Sequence, residues 1–136
     1  MSEEKNSNKK LEVILREAIA FSKSKNHSFV TTEHLLCAIL TDDDVRKVII
    51  RSANSEDVID SVTTEAIEYL NDTTDIPKIQ DARDELIITS TVTHAIDRAN
   101  ARATANNIEP SFIDLLEAIL ADEETTGSYI LRKNSV

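Results

Sequence analysis

Leu35-Leu36-Cys37-Ala38-Ile39-Leu40 and Leu115-Leu116-Glu117-Ala118-Ile119-Leu120 are nearly one phrase written twice, 80 residues apart. Each places four large aliphatic side chains at i, i+1, i+4 and i+5, the spacing of one buried helical face. The likeness extends outward on both sides. Each copy follows an alanine-bearing helical stretch and runs into an acidic stop, Asp42-Asp43-Asp44 and Asp122-Glu123-Glu124. A short apolar segment comes next, Val48-Ile49-Ile50 and Tyr129-Ile130-Leu131. A duplication of this length sets the architecture before any single motif does.

The rest of the chain agrees with a helical reading. Its 136 residues include one Gly and two Pro, too few for a fold built on hairpins. Leu11, Ile14, Leu15, Ala18 and Phe21 predict a first helix near 10–25, preceded by a polar, disordered arm over 1–9. Thr31 is placed to cap the second helix, with Glu33 in its first turn. Ser55 is placed to cap a fourth helix, with Val58, Ile59, Val62, Ala66 and Tyr69 inward. An acidic linker broken by Pro77 is expected over 71–84. Val92, Ala95, Ile96, Ala99 and Ala103 then begin the second copy, and Ser111 with Asp114 reads as a capping box. The expectation is an all-α fold over 10–136, a duplicated four-helix motif with pseudo-twofold symmetry. Repeat 1 spans about 10–70 and repeat 2 about 85–136, giving about seven helices, with no counterpart of 55–70 after Val136.

Charge and composition exclude several functions. The formal net charge is −10, and residues 41–87 hold 13 acids against 5 bases. That balance disfavours nucleic acid and anionic membrane surfaces. No apolar run approaches a membrane span, and the N-terminal residues have no apolar signal region. A single cysteine, Cys37, makes no internal disulfide, which suits a reducing, cytoplasmic setting. His34 and Cys37 lie three apart on a helix, but a metal needs more ligands. The sequence places neither His27 nor His94 beside them, so no metal or cofactor is expected. There is no nucleophile motif and no phosphate loop, which the lone Gly127 cannot build, so no enzyme is expected.

The stretch Thr31-Thr32-Glu33-His34-Leu35-Leu36-Cys37-Ala38-Ile39-Leu40 resembles the T-x-E-H-L-L-x-A-L-L motif of the Clp N-terminal domain. That domain is the duplicated helical module at the front of Clp/Hsp100 unfoldases. Asn26-His27-Ser28-Phe29 fits the same family. Asp97-Arg98-Ala99 and Ser128-Tyr129-Ile130-Leu131-Arg132-Lys133 look closest to the ClpA branch. The resemblance covers roughly 10–136. It implies a non-catalytic platform that docks a ClpS-like adaptor or protein substrates for the ATPase rings of a parent or host Clp unfoldase.

Carried over by position, the resemblance assigns a protein-binding face to Glu33, Ser28, His94 and Arg98. Glu33 matches an acidic contact and Arg98 a basic one. Ser28 replaces a second acid, and His94 stands where the ClpA branch has arginine. A charge-assisted contact contributes about 1.5–3 kcal/mol, so weaker docking is expected here. Two alternatives accompany this reading. One is a free-standing mimic of the N-domain that regulates or competes for host Clp machinery. The other is a structural helical oligomer, self-associating weakly through an uncovered face of the second repeat.

Overall fold

The computed structural model describes residues 2–80 and 85–136. Seven helices and two very short strands make up the described fold. They are α1 (Ser2–Ser24), β1 (Phe29–Val30), α2 (Thr32–Ile39), α3 (Asp43–Ala53), α4 (Val58–Asp72), β2 (Ile87–Ile88), α5 (Ser90–Ala105), α6 (Phe112–Ala121) and α7 (Thr126–Lys133). The fold is all-α, as the duplicated phrase predicts. α1 begins at Ser2, so the backbone is helical through the stretch expected as a disordered arm. Ser2 to Lys10 contains no Gly or Pro to break it. Residues 81–84 of the expected linker lie outside the described residues.

Packing follows the repeat. α1 lies along α2 and α5 lies along α6 in equivalent pairs. α2 and α6 meet at the centre. The third helix of each repeat crosses over, α3 onto α6 and α7 onto α2. This exchange of like elements expresses the pseudo-twofold. α4 closes the first repeat against α2, α3 and α7. Leu35, Leu36, Ile39, Leu115, Leu116 and Ile119 are each 1% exposed or less, so the duplicated phrase forms the heart of one shared core. Leu120 is half-buried and Tyr129 is exposed, so the second copy is the less sealed.

Local chemistry starts and stops the helices. Asp42 Oδ2 accepts from the Val45 N–H at 3.1 Å and caps α3, while Asn54 ends it in the left-handed region at φ 53°. The acidic stop of the second repeat works differently. Asp122 ends α6, and Thr125 Oγ1 caps α7 by accepting from the Ser128 N–H at 3.1 Å. Ser55 does not cap α4. The helix begins three residues later at Val58, with Asp57 at the cap position and no side-chain cap bond. Asn54 in the left-handed region and the turn after it delay the helical φ and ψ angles past Ser55.

Sequence periodicity misses the parallel pairing of Phe29 with Ile87 and of Val30 with Ile88. Two residues carry no period, and tertiary contact alone makes them strands. The pairing matters because it fixes the start of α5. The Ile87 N–H donates to Ser28 O at 2.8 Å and the Thr89 N–H to Val30 O at 3.1 Å. The entrance to α2 and the entrance to α5 are thereby tied side by side.

Candidate functional site

His94 and Arg98 stand one turn apart on α5 and face α6. Between them and the start of α2 lies an open groove of about 270 Å3, lined also by Thr32, Ala95, Ile119 and Asp122. Small residues on both helices keep the floor low, Ala95 on α5 and Ala118 and Ala121 on α6. The groove continues into a second hollow of about 550 Å3 that shares Arg98, Ala118 and Ala121 and reaches Arg102 and Glu117. His94 and Arg98 are exposed, and neither has a hydrogen bond or ion pair among the described residues. Arg102, one turn further on, is occupied. It pairs with Asp114 at 3.5 Å and with Glu117. Among the described residues Arg98 is thus a cation with its donors unspent, at the rim of a groove floored by small side chains.

Glu33 is placed elsewhere than the sequence reading has it. It is 6% exposed. Its Oε2 accepts from the Gly127 N–H at 2.8 Å, across 94 residues of chain. The carboxylate therefore closes the N-terminus of α7 from α2, joining the repeats. Burial pushes its carboxyl pKa up, and the Gly127 N–H holds against that rise. Gly127 leaves room for the approach, since an added Cβ would sit 3.3 Å from Glu33 Oε2 and the carboxylate would have to give by a few tenths of an ångström. A surface acid is the ordinary reading of Glu33 in a first helical turn. The signal against it is that the chain's lone glycine opens the equivalent of the third helix.

Ser28 lies just before β1, half-buried, and its hydroxyl donates to the Pro77 carbonyl at 2.9 Å. It does not line the groove. The structure gathers His94 and Arg98 at one site, sets Glu33 beneath in the core next to Thr32, and leaves Ser28 at the sheet edge.

His27 is not remote from His34, as the sequence suggests. Both are fully buried, and His27 Nδ1 lies 2.8 Å from His34 Nε2. His34 Nδ1 accepts from the Thr31 N–H at 2.9 Å. A backbone N–H can only donate, so His34 carries its proton on Nε2 and gives it to His27. His27 Nε2 faces the Leu70 carbonyl without completing a hydrogen bond. Burial, then the neighbouring His27, lowers the His34 pKa to about 4. Burial lowers His27 too, with Lys78 and Lys25 adding to it. Left-handed Asn26, φ 58°, turns the chain so that two histidines seven apart can meet.

Cys37 is half-buried, and burial followed by Glu33 pushes its thiol up to about 12. It is a packing group without nucleophilic character. Among the described residues, no three His, Cys, Asp or Glu side chains gather to hold a metal. No described helix is long and apolar enough to cross a membrane.

The core is made of two copies of one phrase, with helices exchanged between copies and a small-residue groove on the outside. The model of the Clp repeat (R) N-terminal domain matches residues 6–134, and the chain belongs to that family.

Proposed function

We propose that this chain is a non-catalytic docking module of Clp machinery and that the α5–α6 groove is where it receives an adaptor of the ClpS kind or a protein substrate. The single observation that carries the reading is Arg98. Among the described residues it is an unpaired cation beside exposed His94, at the rim of a groove whose neighbouring arginine is already satisfied. A cation left free beside a shallow floor of small side chains suits recognition of an acid-bearing segment. The ClpA-type sequence around Asp97-Arg98-Ala99 supports the same branch of the family.

Burial of Glu33 and the hydroxyl at Ser28 leave Arg98 as the cation of this groove and Asp122 as its carboxylate. An adaptor that sets an acid against Arg98 and keeps it clear of Asp122 fits this groove best.

Calorimetric titration with a ClpS-type adaptor, and separately with an unfolded protein substrate, tests the proposal. Binding with a Kd below about 100 μM is expected, weakened about tenfold or more by Arg98→Glu. Absence of heat up to about 1 mM of both partners would remove the docking role.

A further inference from the structure

α4 and α7 belong to opposite repeats and pack side by side. Between them lies an open groove of about 370 Å3, walled by Glu65, Glu68, Tyr69 and Asp72 from α4 and by Tyr129 and Ile130 from α7. The chain has two tyrosines, and both line this groove. Tyr129 is 60% exposed, the most exposed of the large apolar side chains among the described residues. Ile130 beneath it is 4% exposed and forms part of the core.

The charges are unbalanced. Lys133 donates to Glu65 Oε1 at 2.9 Å and Asn134 to Glu65 Oε2 at 2.8 Å, so the groove's cation is already neutralised. Glu68 and Asp72 are exposed and have no hydrogen bond or ion pair among the described residues. They stand on the last turns of α4, where the helix presents its negative end and carries no base of its own, and Lys25, the cation that reaches this turn, donates to Asn71 Oδ1 at 2.6 Å and to neither carboxylate. The positive end of α7 would oppose this field, but the Glu33 carboxylate already meets it at the Gly127 N–H.

We propose that the α4–α7 groove is a second docking site and that its occupant is an arginine-bearing peptide segment. A guanidinium lies flat on a tyrosine ring while its edge donates to carboxylates, so one side chain satisfies both halves of this groove. Lysine supplies the charge without the flat stacking. A second copy of this chain is a poor occupant, since its net charge of −10 repels another such surface. The site shares no residue with the His94–Arg98 groove, so the fate of either proposal leaves the other standing.

The chain has no tryptophan, so its intrinsic emission comes from the two groove tyrosines. The probe is a blocked peptide, Ala-Arg-Leu-Arg-Ala, compared with versions carrying Lys or Glu for Arg. A saturable change in tyrosine emission is expected, with a Kd below about 1 mM at low salt, several-fold weaker for the lysine peptide. The double variant Glu68→Lys, Asp72→Lys changes two exposed positions and should raise that Kd at least about tenfold while its circular dichroism stays unchanged. The proposal is overturned by a response that fails to saturate by about 5 mM, by equal binding of the glutamate peptide, or by an unaffected double variant. Sedimentation decides the remaining occupant. A free chain that is dimeric, and becomes monomeric in the double variant, would give the groove to a second copy and overturn the assignment.

Discussion

In the first repeat the start of α2 is closed by Thr31 and His34; in the second the start of α6 is closed by Ser111 and Asp114. The geometry is the same. The Thr31 N–H donates to His34 Nδ1 at 2.9 Å, and the Ser111 N–H to Asp114 Oδ2 at 2.8 Å. The surroundings are opposite. His34 hands its second nitrogen inward to His27, and next to it Glu33 is sealed against Gly127. Asp114 reaches outward to exposed Arg102. One backbone solution therefore serves two ends. The first repeat turns its polar groups inward, Glu33 bracing the halves, and the second turns its buried Asp114 towards a surface arginine.

The outer helices show the same divergence. Leu11, Ile14 and Ala18 of α1 occupy the buried places of Val92, Ala95 and Ala99 of α5. On that alignment Glu17 stands where Arg98 stands, and Val13 where His94 does. The charge at the rim is reversed between the copies, and the α5–α6 side carries, among the described residues, an unpaired Arg98 beside a groove.

The comparison breaks first at the core. Leu36→Ala and Leu116→Ala each remove a side chain that is 1% exposed or less and should each cost about 2–5 kcal/mol in urea unfolding. Markedly unequal losses would mean that the repeats do not share one core. Next is the brace. Glu33→Ala leaves the Gly127 N–H buried without an acceptor and should cost about 1–3 kcal/mol, much of it restored in Glu33→Gln, whose amide oxygen can still accept.

Acid sharpens the contrast between the caps. His34 has a folded pKa of about 4 against 6.5 unfolded, so the folded state binds fewer protons. Its contribution is whole above about pH 6.5 and is lost as pH falls from there towards 4. By pH 5 the loss is about 2 kcal/mol. His27 acts in the same direction. Glu33, with a raised pKa, acts oppositely and gains stability as acid protonates it. Urea midpoints at pH 7 and pH 5 should therefore separate, and His34→Ala should lower the pH 7 midpoint and narrow the separation. The smallest effect belongs to the exposed cap partner: Arg102→Ala should cost less than about 1 kcal/mol, since the arginine is half in solvent.

The duplicated leucine phrase made the helices, their order and the buried faces legible, because aliphatic spacing reports burial directly. Ser111 with Asp114 was legible as a cap for the same reason: the residues that make it are local. Contacts between distant residues were not. The strand pair joins Phe29 to Ile87, the brace joins Glu33 to Gly127, and nothing in either local sequence names its partner. His27 and His34 are near in sequence, yet their meeting depends on the left-handed turn at Asn26, a conformation that asparagine permits without demanding. Of the α5–α6 groove, His94 and Arg98 were recoverable as neighbours on one helix. Thr32 and Asp122, which complete the groove from α2 and the end of α6, come from separate elements that only the packed repeats bring together.

The most direct test sets the two rims against each other. The Kd of a ClpS-type adaptor is measured by calorimetry for the unmodified chain, for Arg98→Glu and for Glu17→Arg, both at exposed positions. Docking at the second repeat predicts at least about a tenfold loss for Arg98→Glu and less than about a twofold change for Glu17→Arg. Equal effects, or a larger one at Glu17, would contradict it.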